Sequence, residues 1–152
     1  MNKTITCFVP YADEASTRRT LSALRQSCSV KDIYLLSNNP ESKQLDGYPI
    51  LTIDSFNSTY MLEQMAFHTD TDHVLLYTQT SPLELGYKAL ERMCAHLSDS
   101  CGLVYADYQE WKDGKLEKHP VIDYQPGSVR DDFDFGPLLL FQARWLRAGL
   151  AD

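Results

Sequence analysis

The chain has 152 residues, a net charge of −7 and 43% apolar residues. The apolar share excludes a disordered chain, and the length suits one domain with a core of its own. The densest basic cluster is Arg18-Arg19, so the sequence lacks the basic face with which proteins grip nucleic acid.

The apolar runs, such as Pro137 to Phe141, fall far short of the roughly 20 residues a membrane helix needs. Met1-Asn2-Lys3-Thr4 leads into a strand-like run and not into a signal peptide, which makes the cytoplasm the expected compartment. Cys7, Cys28, Cys94 and Cys101 form no C-x-x-C pair. They read as free thiols, not as a zinc or redox motif.

Thr4 to Pro10 is a short apolar, β-branched run, and so reads as a first strand. Glu14 to Cys28 reads as a helix with Ala15, Leu21, Leu24 and Cys28 near one face. Asp32 to Leu36 is a second strand, closed by the turn signal Ser37-Asn38-Asn39-Pro40. Ile50 to Ile53 is a third strand, Thr59 to His68 a helix carrying Leu62, Met65 and Ala66, and His73 to Tyr77 a fourth strand.

Ser81-Pro82-Leu83-Glu84 has the form of a capping box with Pro at the first helical position. Leu83, Tyr87, Leu90, Cys94 and Leu97 follow at helical spacing, which predicts a helix with one buried stripe. Gly102 to Lys112 predicts a long strand, Asp113-Gly114 a hairpin turn and Lys115 to Ile122 its return strand. After a polar loop over Asp123 to Asp134, Leu138 to Phe141 is a last strand and Ala143 to Leu150 opens a helix.

This alternation predicts an α/β fold: a largely parallel central sheet with helices on both faces, plus a β-hairpin, in a single domain over residues 1–152. In such a sheet ligands bind beyond the carboxyl ends of the strands. Three strand ends there are polar: Pro10-Tyr11-Ala12-Asp13, Ser37-Asn38-Asn39 and Thr78-Gln79-Thr80. Their side chains suit a base, a ribose and phosphates, and a helix start after Thr80 would favour an anion. No G-x-G-x-x-G, G-x-x-x-x-G-K-[ST] or G-x-S-x-G stands in the chain, so a glycine-loop nucleotide site and a serine elbow are disfavoured.

In order, ITCFVPYA (Ile5 to Ala12), TLSALRQS (Thr20 to Ser27), DHVLLYTQTSPLE (Asp72 to Glu84), LVYADY (Leu103 to Tyr108) and FGPLLLFQARWLRAGLAD (Phe135 to Asp152) resemble the family 2 glycosyltransferases of GT-A fold. The resemblance spans nearly the whole chain and rests on the order of its motifs. It implies a bacterial enzyme of polysaccharide biosynthesis, working in the cytoplasm or at the inner face of the membrane. Such an enzyme transfers sugar from a nucleoside-diphosphate sugar to a saccharide or lipid-linked acceptor.

It also implies that the catalytic base lies beyond Asp152, so that this chain is the nucleotide-sugar-binding part and inactive by itself. Within the chain Asp107 reads first as a solvent-facing strand residue, and second as a candidate carboxylate on the acceptor side.

Two positions depart from the family pattern. Its metal-binding D-x-D is replaced by Thr78-Gln79-Thr80, so Mg²⁺ or Mn²⁺ is expected only together with nucleotide. Its carboxylate after the second strand is replaced by Ser37-Asn38-Asn39. The literal strings Asp70-Thr71-Asp72 and Asp132-Phe133-Asp134 precede strands, at the end expected to lie away from the site, and read as loop carboxylates or helix caps. The four histidines show no ligand spacing and read as ordinary surface or core residues. A rival reading is a non-catalytic, transferase-like module that binds a nucleotide or a protein partner.

Overall fold

Ile5–Pro10 (β1) is buried along its whole length. A strand covered on both faces needs a continuous apolar run, and ITCFVP supplies one. The computed structural model describes residues 4–11, 13–39, 41, 44–56, 58–79, 83, 85, 88–97, 103–105, 108–112, 115–119 and 138–151.

The chain order is β1, α1 (Glu14–Arg25), β2 (Val30–Ser37), β3 (Gln44–Leu45), β4 (Tyr48–Thr52), α2 (Thr59–His68), β5 (His73–Tyr77) and α3 (Ala89–Ala95). Then follow β6 (Leu103–Tyr105), β7 (Tyr108–Lys112), β8 (Lys115–His119), β9 (Leu138–Gln142) and α4 (Ala143–Ala151). Seven strands form one sheet in the order β3-β4-β2-β1-β5-β9-β6, and β7 and β8 pair separately.

The core of the sheet is parallel: β4 with β2, β2 with β1, β1 with β5. β9 runs antiparallel to both β5 and β6, so β6 points the same way as β5. The sheet is therefore mixed, with β3 and β9 opposing the rest.

Side chains of β1 alternate between two cores. Ile5, Cys7 and Val9 pack with Leu21 and Leu24 of α1 and Leu90 and Met93 of α3. Phe8 packs on the other face with Met61 and Met65 of α2 and Leu146 of α4. The chain steps from β1 to β2 across α1 on one face. It steps back from β4 to β5 across α2 on the opposite face, so both crossovers share one hand.

Several boundaries differ from the sequence expectation. α1 stops at Arg25, not Cys28. The Ser27 hydroxyl accepts the Ser29 N–H at 3.2 Å and closes a local turn that competes with the helix. Thr17, Thr20, Leu21, Ala23 and Leu24 form the buried face, while Ala15 and Cys28 are exposed.

The helix expected from Ser81 begins only at Ala89. Lys88 adopts φ 49°, ψ 36°, a left-handed conformation that cannot sit inside a right-handed helix. Leu83 and Leu85 lie outside any helix, and the Leu83 N–H donates to Thr20 Oγ1 at 3.0 Å. Ser81, Pro82, Glu84 and Tyr87 lie outside the described residues. The apolar stripe survives the change: Leu83 and Leu90 enter the core, and Cys94 and Leu97 pack against it.

The strand expected over Gly102 to Lys112 is two strands in two sheets, β6 and β7. A further hairpin, β3 to β4, turns at Asp46 (φ 51°) and Gly47 (φ 85°), a two-residue turn with positive φ at both positions.

Candidate functional site

Parallel pairing places the ends of β1, β2, β4 and β5 along one edge of the sheet. The Tyr11 N–H donates to the Leu36 carbonyl at 2.7 Å, tying the end of β1 to β2. The Ile53 N–H donates to the Ser37 carbonyl at 2.8 Å, tying the end of β2 to β4. Thr78 and Gln79 follow β5 and are exposed. The edge thus unites Pro10, Tyr11, Asp13, Ser37, Asn38, Asn39, Thr78 and Gln79. Ala12, Thr80 and Asp107 lie outside the described residues.

β1 and β5 are adjacent, and the chain leaves them toward opposite sides of the sheet: β2 after β1, β9 and β6 after β5. That is a topological switch point, where an open α/β sheet leaves a crevice. Pro10 is buried and fixes the strand end, and Tyr11 is half-buried against the α1-side core.

Three of the expected side chains have local work to do. Asp13 caps α1: its Oδ1 accepts the Ser16 N–H at 2.8 Å, and this bond holds the carboxyl below its ordinary pKa. The Ser37 hydroxyl is buried and accepts the Asn39 N–H at 3.0 Å. Asn39 Oδ1 in turn accepts the Glu41 N–H at 3.0 Å. Asn38 is exposed between them.

The end of β4 adds residues that the sequence reading left out. The Asp54 carboxylate accepts the Ser55 N–H at 2.9 Å and the Ser58 hydroxyl, and the Ser58 bond chiefly holds its pKa down. Ser58 Oγ also accepts the Met61 N–H at 3.0 Å and so caps α2. The signal was present as Asp54-Ser55 directly after an apolar run, with Ser58 before the helical residues.

A divalent cation of the kind the resemblance implies does not suit the donor groups at Thr78 and Gln79. A hydroxyl and an amide supply neutral oxygens, whereas Mg²⁺ and Mn²⁺ favour carboxylates. Among the described residues no three His, Cys, Asp or Glu side chains cluster to hold a metal.

The opposite edge carries Asp70-Thr71-Asp72, whereas Asp132-Phe133-Asp134 lies outside the described residues. β9, expected to start at that edge too, instead starts beside Tyr77 at the carboxyl end of β5, because it runs antiparallel to β5. Asp70 pairs with Lys31 at 2.7 Å, and the Thr71 hydroxyl meets that of Thr6 at 2.7 Å. His73 Nδ1 lies 3.2 Å from Thr4 Oγ1 and 3.8 Å from Cys94 Sγ. Burial lowers the His73 pKa and raises that of Cys94 to about 11, which disfavours a thiolate at this position.

No protein-family model and no curated protein matches this chain. Among the described residues, no helix is long and apolar enough to cross a membrane.

Proposed function

We propose that this chain is the nucleotide-sugar-binding part of a glycosyltransferase of the family 2, GT-A type, which moves a sugar from a nucleoside-diphosphate sugar to a saccharide or lipid-linked acceptor. One observation carries the reading. The polar ends of β1, β2 and β5 lie beside one another at the switch point between β1 and β5, and no glycine-rich phosphate loop is present. The order of motifs along the chain agrees with this family.

On this reading Tyr11 and Asn38 face the base and ribose, and Thr78 and Gln79 lie on the diphosphate side. In transfer an acceptor hydroxyl attacks the anomeric carbon, its proton passes to a base and the diphosphate leaves with the bonding pair. None of the site residues above is placed as that base.

A second reading, a transferase-like module that binds without catalysing, is favoured by the neutral Thr78-Gln79 and by the local bonds of Ser37 and Asn39.

Titrating the chain with UDP and GDP while following backbone amide shifts tests both. Shifts at Tyr11, Ser37 to Asn39 and Thr78-Gln79 are expected. Shifts confined to Asp70 to Asp72, or none, overturn the nucleotide reading. Sugar transfer by the chain itself would rule out the non-catalytic module.

A further inference from the structure

Thr20 sits in the middle of α1 and is 2% exposed. On helical grounds alone a buried threonine is a poor choice there. Its branched side chain loses freedom in the coil, and a hydroxyl in a core is costly unless it is bonded. The bond it makes is long-range: Thr20 Oγ1 accepts the N–H of Leu83 at 3.0 Å, from the segment between β5 and α3. Leu83 belongs to no helix or strand, so its buried N–H has no ladder partner and finds its acceptor in a side chain.

The Leu83 side chain reinforces the bond. It is buried in the α1-side core with Leu21, Leu24 and Leu90, and Tyr11 and Leu85 pack against the same core. The anchor thereby joins the two connections that border the switch point, the one from β1 into α1 and the one from β5 into α3. Thr78 and Gln79 lie between two fixed points. Tyr77 is paired with Leu138 inside the sheet, and Leu83 is held on α1. A chain spans at most about 3.3–3.6 Å per residue, so so short a segment fixed at both ends has little freedom between them. Thr20 itself is covered and touches no ligand.

We propose that Thr20 is a positioning residue for the nucleotide site: its hydroxyl holds the segment after β5, and with it Thr78 and Gln79, in the arrangement that binds. The proposal rests on the nucleotide reading above and adds to it a residue that acts from beneath the site.

Calorimetry and amide shifts with UDP and GDP on the intact chain test it. Thr20→Val keeps the branched shape and removes the acceptor, and Thr20→Ser keeps the acceptor. For the nucleotide that the unaltered chain binds, Thr20→Val should weaken affinity about fivefold or more, and Thr20→Ser should stay within about twofold. In Thr20→Val the nucleotide-dependent shifts at Thr78 and Gln79 should shrink while those at Tyr11 and Asn38 persist. Thr71→Val breaks the buried hydroxyl pair with Thr6 at the opposite edge. It should lower the unfolding midpoint yet leave affinity within about twofold. By linkage the ligand must stabilise the anchor as the anchor stabilises the ligand. In the unaltered chain, local opening at the Leu83 amide should therefore slow by about threefold or more at saturating nucleotide, a readout that does not require Thr20→Val to fold.

Thr20→Val binding as well as the unaltered chain overturns this inference and leaves the nucleotide reading standing. So does an equal loss of affinity in Thr71→Val, which would make the effect one of general destabilisation, and so does Leu83 exchange that nucleotide leaves unchanged. An unaltered chain that binds neither UDP nor GDP overturns both.

Discussion

The protonation of His73 couples to folding. Burial disfavours its charged form, and the neighbouring Asp72 opposes this only in part. A depressed histidine pKa means that the unfolded chain takes up the proton first as pH falls. Its contribution is therefore fully present above the ordinary value of about 6.5 and is lost as pH drops from there toward the lowered folded value. Denaturant midpoints should fall between about pH 7.5 and about pH 5.5, and His73→Gln should flatten that limb. Asp13 and Asp54 act lower down. Their folded pKa values are depressed, so their stabilisation is present above about 3.9 and is lost as the acid limb protonates them. The Ser58 cap is a further single-residue test: Ser58→Ala should cost about 0.5–2 kcal/mol by chemical denaturation. The strand ends were legible at this scale, because polar residues directly after an apolar strand mark its carboxyl end. The commitments of Ser37, Asn39 and Asp13 were not. Whether a side chain faces a ligand or its own backbone depends on φ and ψ, which residue type alone does not set.

The shortened α3 gives the lesson at the level of elements. Leu83, Leu90, Cys94 and Leu97 keep a helical spacing, and all four meet the same core. Periodicity therefore reported burial correctly while misplacing the helix start, since Lys88 interrupts the coil with a left-handed residue. Leu90 is 1% exposed, so Leu90→Ala should cost about 2–5 kcal/mol, read from urea unfolding. A neutral result would detach α3 from the sheet. α2 and β5 match their expected limits, because each is bounded by unambiguous signals: an apolar helix segment after Ser58, and an apolar five-residue strand after Asp70-Thr71-Asp72. The hairpin at Asp46-Gly47 was missed although an Asp-Gly pair is a strong turn signal. Its first strand is only Gln44-Leu45, too short to show alternation.

Across the molecule, protection should follow the sheet order. β1 lies between two parallel partners with both faces covered, so its amides should exchange slowest and report global unfolding. The separate β7–β8 pair should exchange much faster, as a two-stranded ribbon is marginal alone. Hydrogen exchange followed by mass spectrometry or NMR checks the ranking, and equal rates would mean that the hairpin shares the core's cooperativity. The parallel core could be anticipated from alternating strands and helices. The position of β9 could not, because an apolar strand carries no mark of which neighbours it will join. Its place between β5 and β6 has a consequence for synthesis. The ribosome completes β5 well before β9, and at about 5–20 residues per second the interval is on the order of 3–13 s. Throughout that time the nascent chain offers a bare row of β5 amides and carbonyls to any passing strand, so a chaperone that shields it should matter most just before Leu138 to Gln142 emerges.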